Sequence, residues 1–379
     1  MMRARVIIRK PDVIRARDDR YVKSKFIPQP TPWPVRVDLR SDTVTRPTDA
    51  MRRVMFDAAV GDEQLGEDPS VNELVETVAE LLGKPAAVFL PSGTMCNEIA
   101  LALHCRPGDE FYCDRTAHPL HAEAGGPSAI AGAQVRPIDG ERGIYTAEQL
   151  AGALSPVSRY APEPRLVWVE QTANLAGGSV WRRSDIAAVT GLAKERGLLT
   201  HLDGARLFNA TAVTGEHPSA LAAPFDSVWV DFSKGLGAPV GAALAGAEDF
   251  IDGAWRWKQR LGGSMRQAGV LAAAASYALG HHVDRLAEDH LRARRLADAL
   301  AEVEGIKLDP AQVETNIVIF GTEAPGGAAS FLAHLLEKYG VRGSLAGRGL
   351  VRFVTHLDVD DDDITTAVAA VRSVIEDLG

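Results

Sequence analysis

Aromatic residues are scarce, at 6% of the 379-residue chain, so its core must rest on Ala, Leu and Val. Cysteine is scarcer. Cys96, Cys105 and Cys113 are the only three, and so sparse and odd a count excludes a disulfide framework and fits a reducing, cytoplasmic setting. No apolar run reaches the roughly 18 residues of a membrane-spanning helix. The start, Met1-Met2-Arg3-Ala4-Arg5, lacks the long apolar stretch of a secretory leader. Positive charge is in deficit: 41 Lys and Arg stand against 50 Asp and Glu, for a net charge of −9. That speaks against nucleic acid, whose phosphates demand a basic face. What is present is ordinary globular composition, 46% apolar and 24% charged, which excludes a disordered, collagen-like or coiled-coil chain. At this length two domains are the natural expectation.

Residues 1–36 carry ten Lys/Arg and only three Asp, and end in Pro28-Gln29-Pro30-Thr31-Pro32-Trp33-Pro34, which cannot hold a helix or a central strand. They read as an arm lying on the acidic body or on a partner subunit. A tether or transit peptide is the alternative, and Asp12, Asp18 and Asp19 weigh against it. From residue 68 on, helices alternate with short continuous apolar strands (86–90, 110–113, 134–138, 166–169, 198–202, 227–230, 242–244). That pattern predicts an α/β fold with a mostly parallel sheet covered on both faces, over residues 37–280. A long helix from about Gly280 to Leu300, then two strands and two helices, predicts a smaller α+β domain over 281–379.

Ligands of open α/β sheets sit outside the carboxyl ends of the strands, so the residues following each strand carry the chemistry. Ser92-Gly93-Thr94 leads from a strand into a helix whose N-terminal N–H groups suit a phosphate. His201-Leu202-Asp203-Gly204-Ala205-Arg206 places a carboxylate and a guanidinium at another strand end. Ser233-Lys234-Gly235-Leu236-Gly237 puts a lysine at a third. In a cavity such an amine loses its proton readily and can form a Schiff base. Asp203 and Lys234 on successive strands, with a phosphate turn, are what pyridoxal 5′-phosphate requires, the carboxylate keeping the pyridine nitrogen protonated. His118 offers a flat ring and a proton near neutral pH. Cys113, His118 and His121 have loose metal-ligand spacing, but no fourth ligand recurs nearby. Arg352 could hold a carboxylate through two parallel hydrogen bonds. The glycines of 235–241 have the wrong spacing for a dinucleotide fingerprint. The run Asp360–Asp363 reads as a helix start, and His281-His282 as solvated surface.

With these segments in hand the chain resembles the low-specificity threonine aldolase group of the β-eliminating lyase family, fold-type I pyridoxal-phosphate enzymes. The resemblance is carried by Asp38–Pro47, Gly66–Pro69, Pro91–Thr94, Glu123–Gly126, His201–Arg206, Ser233–Gly241, Gly262–Gln267 and Val354–Asp358, in the family's order over about residues 37–370. It implies Lys234 as the Schiff-base lysine, Asp203 as the partner of the pyridine nitrogen and His118 as the ring-stacking histidine. It implies Gly93 and Thr94 as phosphate binders, with Arg266 reaching the phosphate from a neighbouring subunit. Ser41, Arg206 and Arg352 become binders of the substrate carboxylate, with Arg206 also approaching the cofactor's phenolic oxygen. The implied reaction is cleavage or formation of a β-hydroxy-α-amino acid, with glycine and an aldehyde on the other side. The implied assembly is a homodimer or homotetramer with active sites at subunit interfaces, acting on a small amino acid.

Three positions depart from the family. Its Glu-Asn-Thr-His-Asn is here Glu170-Gln171-Thr172-Ala173-Asn174, its Val-Tyr-Gly is Gln64-Leu65-Gly66, and its Arg-Lys before the glycine run is approximated by Lys258-Gln259-Arg260. Ala173 cannot bond a hydroxyl or move a proton. These changes are expected to strip polar groups from around the substrate side chain. A larger or less polar β-substituent, β-elimination or glycine-unit transfer, or a slow threonine reaction all fit that expectation. A pyridoxal-phosphate-binding protein without catalysis is the reading from another class.

Overall fold

The computed structural model describes residues 30–347 and 349–378. The expected arm therefore lies outside the described residues as far as residue 29. Strand β1 (Val37–Asp38) opens the described fold. The main sheet is built from β2 (Ala86–Leu90), β3 (Glu110–Asp114), β4 (Gln134–Ile138), β5 (Pro164–Glu170), β6 (Leu199–Gly204), β7 (Ser227–Asp231) and β8 (Ala242–Gly246). Their order across the sheet is β2-β8-β7-β6-β5-β3-β4. All neighbours run parallel except that β8 is antiparallel to both β2 and β7. The strands β3, β7 and β8 are buried at every position, as a sheet covered on both faces requires. The α/β architecture with a mostly parallel sheet is thus the one expected.

A second sheet holds β9 (Ile306–Lys307), β10 (Ile317–Thr322), β12 (Ser344–Ala346) and β13 (Leu350–Val354), while β11 (Val341–Arg342) pairs in parallel with β1. Val37 and Leu39 therefore join the apolar core of the C-terminal part, with Leu296, Phe331 and Phe353, although they precede the main sheet in sequence. The long helix expected from about Gly280 begins instead at Leu286 and runs to Ala301. Ahead of it the chain turns at His282, a buried residue whose Nδ1 donates to the Leu236 carbonyl at 2.7 Å. The apolar periodicity continues through that turn and hides it.

Local signals set the helices that reach the site. Following α1 (Asp49–Phe56), helix α2 (Pro69–Leu82) starts at the Asp68 N-cap, whose Oδ1 accepts the Val71 N–H at 3.1 Å, and Pro69 supplies the preset φ of a first helical residue. Helix α3 (Gly93–His104) starts at Ser92, whose hydroxyl accepts the Met95 N–H at 3.2 Å. Its small apolar residues Ile99, Ala100 and Leu101 are fully buried.

Candidate active site

The carboxyl ends of the parallel strands converge on one cavity of about 320 Å³, and Lys234, Asp203, Arg206, His118, Gly93, Thr94, Ser41 and Arg352 all line it. Lys234 follows β7 at the end of the Asp231–Lys234 turn. Its Nζ lies 2.9 Å from Asp231 Oδ2 and 5.4 Å from the centre of the Trp229 ring. Its carbonyl accepts the Thr45 hydroxyl at 2.8 Å, which ties the turn to the segment after β1. Asp203, on β6, is 1% exposed. Its Oδ1 takes the Ala205 N–H at 3.1 Å and its Oδ2 takes Asn97 Nδ2 at 3.0 Å. Burial pushes this carboxyl above its ordinary range, against the pull of His118, Lys234 and the Asn97 hydrogen bond.

His118 opens the short helix α4 (His118–His121). Its Nδ1 bonds Glu123 Oε1 at 2.7 Å, and its backbone N–H donates to Glu170 Oε2 at 2.6 Å. Burial alone would lower the imidazole pKa. The Glu123 hydrogen bond and the surrounding carboxylates Asp203, Glu123 and Glu170 outweigh it and raise the value. Glu170, at the end of β5, is pushed up to about 7 by burial and by Asp203, although the N–H groups of Asn174 and His118 pull the other way.

Two guanidiniums form the opposite wall. Arg206 grips Asp42 in a fork, Nε to Oδ2 at 2.7 Å and Nη2 to Oδ1 at 2.6 Å. Burial would raise the Asp42 carboxyl, but the Arg206 charge and hydrogen bonds hold it far below the usual carboxylate range. Asn174 Oδ1 accepts from both Arg206 Nη1 at 3.2 Å and Arg352 Nη2 at 2.7 Å, so one side chain sets the spacing of the two cations. Arg352 also donates Nη1 to the Arg40 carbonyl at 3.3 Å, while its buried Nε has no partner among the described residues. Burial and the neighbouring Arg206 bring Arg352 down to about 10. A buried cation with a donor left over is a site prepared for an anionic ligand group.

The remaining wall is the N-terminus of α3. A Cβ at Gly93 would meet Trp229 Cη2 at 2.1 Å, so only glycine lets this helix start lie on the indole. Amine, buried carboxylate and helix N-terminus on three sides of one cavity fit pyridoxal phosphate: attachment at Lys234, a partner for the ring nitrogen at Asp203 and a phosphate cradle at Gly93-Thr94. The family model described as beta-eliminating lyase matches residues 38–323. The chain belongs to the beta-eliminating lyase family. This family member is 39% identical to a low specificity L-threonine aldolase of Escherichia coli O157:H7 over 341 residues, covering 89% of this chain and 99% of that one. It is 40% identical to low-specificity L-threonine aldolase 1 of Arabidopsis thaliana over 333 residues, covering 86% and 93%. A solved structure of Leishmania major threonine aldolase superposes with a TM-score of 0.76 at 20% identity, covering 89% of this chain and 99% of that one.

Of the residues that the resemblance gave a role in binding or catalysis, Arg266 alone is absent from the lyase's cavity wall. Its side chain is 65% exposed and bonds Asp62 at 2.8 Å. The departures Leu65, Ala173 and Gln259 do not line the cavity either. Leu65 and Gln259 are exposed. Ala173 is buried with its N–H on the Ser179 carbonyl, and its Cβ faces Gly143, where an added Cβ would come within 2.5 Å of it. Lys258 is fully buried, its Nζ paired with Glu63 Oε2 at 2.8 Å and away from the cavity. Sequence reasoning missed Asp42, Asn97, Glu170, Asn174, Trp229 and Asp231 as parts of the site. Asp42 and Asn174 sit inside segments that carried the resemblance or the departures, yet their role depends on contacts across long stretches of chain. Among the described residues no group of three or more His, Cys, Asp or Glu is placed to hold a metal ion.

Proposed function

We propose that this chain is a pyridoxal-phosphate-dependent aldolase that cleaves or forms a β-hydroxy-α-amino acid, with glycine and an aldehyde as the other pair. The observation that carries the reading is the single cavity in which Lys234, Asp203, the α3 N-terminus and the Arg206–Arg352 pair meet, in a chain of this family. The threonine aldolase names of its relatives point the same way.

Bound pyridoxal phosphate supplies an electron sink for the bond broken at the substrate's α-carbon. Everything else falls to the protein. Lys234 Nζ is the attachment point, and Asp203, held by Asn97 and the Ala205 N–H, is the anion for the ring nitrogen. The N–H groups of Gly93 and Thr94 hold the phosphate. Arg352, with Nε free, and Arg206, fixed by Asp42, take the substrate carboxylate, assisted by Ser41. That grip orients the α–β bond, and holding the reacting groups in place lowers the barrier. His118 Nδ1 is committed to Glu123, which leaves Nε2 to exchange a proton with the β-hydroxyl. Glu170, near 7, is a second group able to change charge at working pH.

We also propose the division into arm 1–36, large domain 37–280 and small domain 281–379, with Val37 and Leu39 of the large domain packed into the small domain's core. We propose a homodimer or homotetramer in which Arg266 serves a neighbour's phosphate. The exposed Phe56, Val60 and Leu65, 90%, 47% and 71% exposed, offer apolar surface for such contact. No helix of the described residues is long and apolar enough to cross a membrane, and we place the enzyme in the cytoplasm.

The test is a panel of β-hydroxy-α-amino acids scored for glycine, aldehyde and keto acid together, with Lys234→Ala as control and borohydride trapping at Lys234. Glycine with aldehyde from the wild type alone supports the reading. Keto acid and ammonia in their place would establish β-elimination, and no turnover in a coloured protein would establish binding without catalysis. A protein that stays colourless with the cofactor would overturn the whole site.

A further inference from the structure

We infer that Glu98 and Glu123 share one proton, and that this proton, acting through Glu123, sets the charge His118 carries at the cavity wall. Glu98 is then a positioning residue. The inference deepens the reading of the site above and depends on it only for the use made of His118.

Glu98 follows Asn97 on α3 and is 3% exposed. Neither of its carboxyl oxygens has a hydrogen-bond partner among the described residues, and neither has Glu123 Oε2. Glu123 is held beside them, its Oε1 accepting Nδ2 of Asn97, the residue next to Glu98, at 2.7 Å, and its charge and hydrogen bonding help to raise the Glu98 carboxyl. Gly126 makes the room: a Cβ there would stand 1.7 Å from Glu98 Oε1, so the Glu123–Gly126 loop closes directly over the acid. Two ionised carboxylates have no hydrogen to offer each other. A single proton between them removes one buried charge and gives the orphaned Glu98 carboxyl and the orphaned Glu123 Oε2 a partner.

Glu123 Oε1 meanwhile accepts two donors, Asn97 Nδ2 at 2.7 Å and His118 Nδ1 at 2.7 Å. Asn97 Nδ2 continues to Asp203 Oδ2 at 3.0 Å. A network of five polar side chains, branching at Glu123, therefore joins Glu98 to the imidazole of His118 and, through Asn97, to the Asp203 carboxylate. The titratable groups facing His118 are Glu123 on its own loop, Asp203 from β6 and Glu170 from β5. Glu123 is the one facing Glu98. Burial and Glu123 push Glu98 up to about 8. Below that pH one negative charge of the pair faces His118, and above it two do. The second charge favours the imidazolium, so the histidine and the acid titrate as a coupled unit rather than separately.

The test uses the full-length chain, with and without pyridoxal phosphate, and no substrate. Difference infrared spectra follow the carbonyl stretch of a protonated carboxylic acid. Histidine-selective ring labelling, assigned with His118→Asn, follows the His118 resonance against pH. Expected in the wild type is a protonated-acid band at neutral pH that fades as the pH passes about 8, and a two-step His118 titration. Expected in Glu98→Gln, which keeps one donor but never gains the charge, is loss of the component that fades near 8 and of the matching step in the His118 curve, with a lower midpoint. A wild type without the band, or His118 curves that superpose in the two proteins, would overturn the inference. Where Glu98→Gln fails to fold, Glu170→Gln, which removes the other strongly raised glutamic acid, is expected to keep the component that fades near 8, and its loss there would overturn the inference. Neither readout needs turnover, so absent aldolase activity would strike the proposed reaction and leave this pairing standing.

Discussion

Removing Asp42 should damage the fold more than the site, and the damage should be reversible by removing its partner. Asp42 is fully buried and Arg206 is 4% exposed. In Asp42→Ala, Arg206 loses the two acceptors at 2.7 and 2.6 Å, and Asn316 Nδ2 loses its 3.1 Å contact. Hydrogen bonds to charged groups contribute about 1.5–3 kcal/mol each, and stripping one partner from a buried ion pair costs about 3–5 kcal/mol because the other charge stays behind. A loss of about 3–5 kcal/mol is expected, read from urea unfolding of the cofactor-free protein so that cofactor binding does not enter by mass action. In Asp42→Ala/Arg206→Met no buried charge is orphaned, and stability should return to within about 1 kcal/mol of wild type. Substrate binding should stay lost in the double variant, since the carboxylate grip is gone. The pH dependence has a definite sign. The folded carboxyl is held below its ordinary 3.8, so its stabilisation is complete above that pH and fades only as acid protonates the folded state. A single variant as stable as wild type, or a double variant no better than the single, would refute the coupling of Asp42 to Arg206.

Three further outcomes follow. Glu98 and Glu170 are raised from 4.5 to about 8 and about 7, so the folded chain keeps protons that the unfolded chain releases. Stability should fall as pH rises from about 4.5 to 8, by at most about 1.4 kcal/mol per pH unit per group, and Glu98→Gln should flatten the upper part of the thermal-midpoint curve. Gly93→Ala should cost about 1–3 kcal/mol through its clash with Trp229 and weaken cofactor binding, with recovery in Gly93→Ala/Trp229→Phe. Arg352→Lys keeps the charge but not the fork. It should raise the KM for the amino acid by about one to two orders of magnitude, on the basis of about 1.5–3 kcal/mol for the lost charged hydrogen bonds, and leave the cofactor's absorbance unchanged.

The strand at 86–90 is found where its apolar run places it, because a strand covered on both faces must be apolar throughout. Lys234, Asp203 and the Gly93-Thr94 turn were legible for a related reason: each follows a strand directly, and the fold brings strand ends together. The two-residue strands β1 and β11 carry no periodicity long enough to read, so the packing of Val37 and Leu39 with the C-terminal core was hidden. Asp42 and Asn174 were illegible as clamps because their partners are Arg206 and Arg352, and only the folded chain joins them. Glu98 reads as a polar break in an apolar helix. Its meaning appears only when Gly126 and Glu123 close over it.

The reversed strand β8 has a consequence for synthesis on the ribosome. Strand β2 leads into the phosphate turn, and its partner in the main sheet is β8, Ala86 meeting Gly246 and Leu90 meeting Ala242. An emerging chain cannot dock the Gly93 turn into the sheet until β8 has left the exit tunnel. Up to that moment β2 carries a bare edge, open to mispairing with other nascent copies, so assembly of the catalytic pocket waits on a late-translated strand far from the turn it secures.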